Sequence, residues 1–134
     1  MNILRSILGA SLMLVTLSGC AIFAGSGDGE IIYGEALVDD VTIEIMESFP
    51  VQVRAVAVGN LQDACTSIDA VEKTRIGNRF EITIQTARPA DMSCAQVLTP
   101  FERVIELDVY GLSAGTYTVD LNGVTETFVL EVDN

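Results

Sequence analysis

An alternation of apolar and polar residues with period two, recurring from Val38 to Val132, restricts this chain's fold more than any other feature. In extended chain, successive side chains point to opposite faces, so the pattern marks strands with one face on a core and one in water. Val41, Ile43 and Ile45 share a face, with Thr42 and Glu44 behind them. Phe49-Pro50 turns the chain, and Val51, Val53, Ala55 and Ala57 then stand opposite Gln52, Arg54, Val56 and Val58. This second run carries small or β-branched residues on both faces, which suits a strand covered on both sides for much of its length. A weaker strand is expected over 67–75, where Ile68 and Val71 fall on opposite faces. Gly77-Asn78 reads as a tight hairpin turn into Phe80, Ile82 and Ile84. A short edge strand is expected at 95–98. Three more inward faces follow: Ile105, Leu107 and Val109; Tyr117, Val119 and Leu121; and Phe128, Leu130 and Val132. Asn122-Gly123 joins the last two as a hairpin. About seven strands in roughly 95 residues predict an all-β, antiparallel β-sandwich.

The amino terminus is of another kind. Arg5 precedes an apolar run from Ile7 to Leu17, closed by the small residues Ser18 and Gly19. That is the layout of a signal peptide over 1–19, and its apolar core is about half the ~20 residues of a membrane-spanning helix. Leu17-Ser18-Gly19-Cys20 resembles the lipobox of bacterial lipoproteins. The resemblance implies cleavage before Cys20, a diacylglycerol on its sulfur and usually a third acyl chain on the new amino terminus. Lipid of that size holds a protein stably on a membrane. The resemblance thus makes the membrane the first partner and places the mature protein outside the cytoplasm, on the cell membrane or an outer membrane. In a host with an outer membrane, Ala21 lacks the aspartate that retains lipoproteins in the inner one. Residues 20–34 read as the lipidated cysteine and a flexible spacer, with four glycines after Ala24 and Ile31–Tyr33 as a short leading strand. Residues 35–134 form the single domain.

With Cys20 assigned to lipid, Cys65 and Cys94 are left as a pair. Outside the cytoplasm two such thiols are expected to be oxidised to each other. Strand parity puts both at one end of the sandwich, called here the lower pole. The bridge has two readings: a staple alone, or a staple that also rigidifies a binding loop containing Arg88, Asp91 and Met92. At the upper pole the connection Glu47-Ser48-Phe49-Pro50 is a second candidate, with Phe49 expected to pack over the end of the sandwich.

The segment Gly111-Leu112-Ser113-Ala114-Gly115-Thr116-Tyr117-Thr118-Val119-Asp120-Leu121-Asn122-Gly123 resembles the end of bacterial immunoglobulin-like domains. By that resemblance Tyr117 is a tyrosine-corner residue, ring in the core and hydroxyl bonded to nearby backbone. The chain departs from true immunoglobulins in having no Trp, and its cysteines are too close in sequence for their usual bridge between sheets.

Charge and chemistry narrow the function. All nineteen acidic residues follow Cys20, and Arg5 alone of the seven basic ones precedes it, so the mature chain carries a net charge of −13. Such a field repels nucleic-acid phosphates, and no nucleic-acid partner is expected. The absence of His removes the usual acid/base and Ser-His-Asp machinery. Lys73, the single lysine, is expected to be a surface ion-pair residue. Glu106 and Asp108 lie on an outward strand face, and Asp39-Asp40 sits in no calcium-loop pattern. No catalytic residue, metal or cofactor is expected. The sequence therefore reads as an envelope lipoprotein with a non-catalytic binding or structural role and an unidentified protein or envelope partner. The alternative is an inhibitor of a secreted protease or lysozyme acting through rigid loops, since an acidic domain suits a basic target.

Overall fold

A computed structural model describes residues 29–134. The signal peptide, the lipobox with Cys20 and the first part of the spacer lie outside the described residues. Eight strands follow in order: β1 (Ile31–Glu35), β2 (Leu37–Met46), β3 (Gln52–Leu61), β4 (Ser67–Ile76), β5 (Arg79–Pro89), β6 (Thr99–Leu107), β7 (Gly115–Leu121) and β8 (Val124–Leu130). Among the described residues there is no helix. The strands form two sheets, β2-β3-β6 and a five-stranded sheet centred on β5. Every pairing is antiparallel except β5 with β7.

The predicted alternation builds the core. Val53, Ala55 and Ala57 from β3 face Phe80, Ile82 and Ile84 from β5, and Ile105, Tyr117, Val119, Leu121, Phe128 and Leu130 complete the filling. Phe80, Tyr117 and Phe128 cluster with ring centroids 5.5–6.2 Å apart. Ala55 and Ala57 are wholly buried, so the middle of β3 offers little side-chain volume and the opposite sheet supplies the large residues. As expected, Val56 and Val58 on the other face of β3 are half-buried.

Two β-bulges settle places where strict alternation fails. In β4 the register slips between Ile68 and Ala70, leaving Asp69 as the extra residue. Ile68 and Val71, of opposite parity in sequence, therefore both pack on the core. In β2 the slip falls between Val38 and Asp40, and Asp39 is extra, so Val38 and Val41 likewise share the inner face. Opposite this second bulge a Cβ on Gly59 would lie 2.0 Å from the Leu37 carbonyl oxygen, so no larger residue fits there.

Two expectations are corrected. The segment 95–98 is not a strand, because the Ala95 carbonyl accepts the amides of Ala64 and Val97 and is held in a turn. Ile45 and Val132 are about half exposed, at 47% and 58%, since β2 carries Ile45 to the upper rim and Val132 lies beyond the end of β8. The Gly77-Asn78 hairpin is as expected, joining Ile76 of β4 to Arg79 of β5, with Gly77 at a positive φ of 58°.

β1 occupies the end of the segment read as a spacer. It pairs with the last part of β5, from Ile31 opposite Pro89 to Glu35 opposite Gln85. β7 pairs with the first part of the same edge, Arg79 to Ile82. Asn122 bridges the seam between them. Its Oδ1 accepts the Ile84 amide at 2.8 Å, and its Nδ2 donates to the carbonyls of Ile84 and Ala36 at 3.1 and 2.9 Å. A side-chain amide here continues a ladder that neither strand completes. With φ at 47°, Asn122 also makes the turn into β8, where Gly123 follows at 90°.

Candidate functional site

At the lower pole, the chain leaving β3 folds around Asp63, whose side chain is 2% exposed. Its Oδ1 accepts the amides of Cys65 and Thr66, both at 2.9 Å, and the Thr66 hydroxyl at 2.8 Å. Its Oδ2 meets Arg88 Nη1 at 2.8 Å. The Thr66 hydroxyl, working against the opposing effect of burial, is the largest influence holding this carboxyl below its ordinary value of 3.8; the Cys65 amide, Arg88 charge and Thr66 amide assist. Beside this ion pair Cys65 and Cys94 form the disulfide, with Cα atoms 5.7 Å apart. It ties the Asp63 turn to the loop after β5.

This arrangement is built for rigidity. Asp63, Cys65 and Cys94 bring donor atoms within 4.8 Å of one another, but each sulfur is bonded to the other and Arg88 supplies the counter-charge. Of the three residues expected in a binding loop, Arg88 turns inward onto Asp63, with its Nε buried and unpartnered. Asp91 and Met92 are exposed beside it. Asp63 was not singled out in the sequence; the signal is the spacing Asp63-Ala64-Cys65-Thr66, an Asx turn with a hydroxyl three residues on.

The remaining acids are spread over the outer faces. Asp39 accepts a hydrogen bond from Asn60 Nδ2 at 2.7 Å, away from Glu106 and Asp108 at the upper end of β6. Lys73, expected in an ion pair, donates instead to the Glu106 backbone carbonyl at 2.9 Å. Tyr117 is buried in the core and its hydroxyl donates to the Ser113 carbonyl at 2.7 Å.

The upper pole is open. Phe49, expected to pack over the sandwich, is 85% exposed at the tip of the β2–β3 turn, and Tyr110 after β6 is 78% exposed. The turn is held beneath Phe49 by the Ser48 hydroxyl, which donates to the Pro50 carbonyl at 2.9 Å. Two open grooves of about 320 and 350 Å³ lie here and share Met46 and Val51. One runs past Pro50 and Val109 to Tyr110, with Glu106 and Asp108 in its wall. The other runs past Ile45 and Val129 to Val132, with Glu47 and Glu131 in its wall. The Asn134 side chain fixes the floor, accepting the Val51 amide at 2.7 Å and donating to the Val51 and Val109 carbonyls at 3.0 Å. Sequence reasoning passed over Tyr110; its signal is an aromatic on the outward parity after Val109, just before a turn glycine.

The sequence model of the ORF11 beta-sandwich domain matches residues 55–130, more than half of the chain. The chain belongs to this family. It is similar to three 10.2 kDa proteins of Herpetosiphon aurantiacus. The one in the HgiCIIM 5′ region is 34% identical over 94 residues, covering 70% of this chain and 99% of the relative. Those in the HgiBIM and HgiEIM 5′ regions are each 36% identical over 83 residues, covering 62% of this chain and the whole of the relative. No solved structure matches the chain. The family's span runs from within β3 to the end of β8, so it includes Asp63, the disulfide, Tyr110 and Asn122. The Phe49 turn precedes it.

Proposed function

We propose that this chain is a lipid-anchored extracytoplasmic lipoprotein whose β-sandwich serves as a non-catalytic binding module at the cell envelope. The anchor reading rests on Leu17-Ser18-Gly19-Cys20 at the end of the apolar run, and the disulfide adds to it by accounting for the other two cysteines. The observation that carries binding is the pair of exposed aromatics at the upper pole, Tyr110 lining one groove and Phe49 at the tip of the adjoining turn, with Asn134 holding Val51 and Val109. Exposed apolar surface of this kind is where proteins are held by partners. A non-catalytic role follows from a chain without His, whose buried carboxylate is neutralised by Arg88.

The anchor is tested by expressing the full chain and its Cys20→Ser variant in a bacterial host fed an alkyne-tagged fatty acid. The unaltered chain should carry the label and fractionate with membranes, and the variant should lose both. Equal labelling of the two would refute the lipobox.

A further inference from the structure

We propose that the upper pole docks a protein segment rich in lysine or arginine that seats an apolar side chain in the grooves flanking Met46 and Val51. The proposal rests on the binding-module reading and adds the partner's chemistry. Phe49 and Tyr110 hold their rings in water although burial of an aromatic is strongly favourable, so both stand ready to lose water to a partner. Tyr110 lines one of the two grooves and Phe49 stands beside its Pro50, and Asn134 holds Val51, common to both grooves, and Val109 in place, so the cost of ordering them on binding is small.

The rim selects the sign of the partner's charge. Glu106 and Asp108 wall one groove, Glu47 and Glu131 the other, and none of the four has an ion-pair partner among the described residues. Of the neighbouring bases, Arg54 is matched by Glu44, while Lys73 and Arg75 flank Asp108 with their side chains held on the carbonyls of Glu106 and Gly77. The four carboxylates outnumber these two cations, and the groove walled by Glu47 and Glu131 has no base in its lining. A basic segment meets this rim with complementary charge. A second copy of the chain would instead bring the same carboxylates face to face. A bilayer is disfavoured by position, since the chain enters at the lower pole, where Ile31 pairs with Pro89, and the grooves lie at the opposite end.

The test uses the full-length protein in detergent micelles and three probes: a short peptide alternating Lys and Leu, its Glu-Leu counterpart, and phosphatidylcholine vesicles. The Lys-Leu peptide should bind in a salt-dependent manner and shift the amide resonances of Met46, Val51 and Tyr110, while the other two probes should not bind. Phe49→Ser with Tyr110→Ser, both at exposed positions, should weaken binding by about tenfold or more. Glu47→Gln with Glu131→Gln should weaken it several-fold. Glu30→Gln with Asp91→Asn at the lower pole should change it by less than about twofold, which separates the site from the general acidity of the chain. Equal losses from the two acidic pairs, shifts confined to other faces, preference for the Glu-Leu peptide or the vesicles, or no binding at all would each overturn the proposal. The Cys20→Ser result is independent of all of these, so the anchor and the docking surface stand or fall separately.

Discussion

Asp63 concentrates more interactions than any other carboxylate described in this domain, accepting three hydrogen bonds and one ion pair while almost fully buried. Its pKa is lowered on folding, so the unfolded chain takes up this proton first as the pH falls. The stabilisation is therefore complete above the ordinary value of 3.8 and is lost as the pH drops below it, through the folded value. Thermal unfolding followed from about pH 7 down to pH 2 should show a falling midpoint in the unaltered protein. Asp63→Asn should start lower at neutral pH and fall less steeply, and parallel curves would contradict this account. The other carboxylates are common to both proteins, so the difference between the curves isolates the buried one. The Asx turn from Asp63 to Thr66 is local and legible, but its burial is not, because only the fold brings Arg88 of β5 to the carboxylate.

At the scale of the strand, Asn122 is the test of how the larger sheet is held together. Asn122→Gly keeps a residue that tolerates positive φ but deletes the bridge between β1, β5 and β7. At about 1 kcal/mol net for each of three side-chain bonds, it should cost about 2 to 3 kcal/mol in urea unfolding. A loss below about 0.5 kcal/mol would mean that water replaces the amide without penalty. Strands were legible wherever apolar residues kept their period, as in β3, β5, β7 and β8. Legibility failed at Asp39 and Asp69, where a bulge adds a residue and restores the inward face after a break in parity. It also failed at 95–98, where turn bonds override alternation. The parallel contact of β5 with β7 had no local signal, because alternation tells which face a residue takes and not which strand lies beside it.

For the molecule as a whole, the disulfide closes a long excursion of chain, with Cys65 and Cys94 separated by 29 positions. The loop-entropy model gives about 3 to 4 kcal/mol for a ring of that length. Cys65→Ala with Cys94→Ala should lower unfolding stability by that amount while leaving the far-ultraviolet circular dichroism of the sheets in place. The pairing was readable once Cys20 was set aside for lipid, and its pole because strand parity placed both remaining cysteines at one end. The openness of the other pole was not, since whether Phe49 folds down or stands out depends on the turn that carries it. The course of β1 adds a mechanical consequence. The chain enters at the lower pole and runs antiparallel to β5 toward the middle of the sheet. Under the anchor and docking surface proposed above, tension between the two would act along β1, loading the bonds from Ile31 opposite Pro89 to Glu35 opposite Gln85 together, in shear, where a peeling geometry would break them one at a time. The disulfide would keep the chain between Cys65 and Cys94 from lengthening under such a pull, so that segment, β5 included, would yield last.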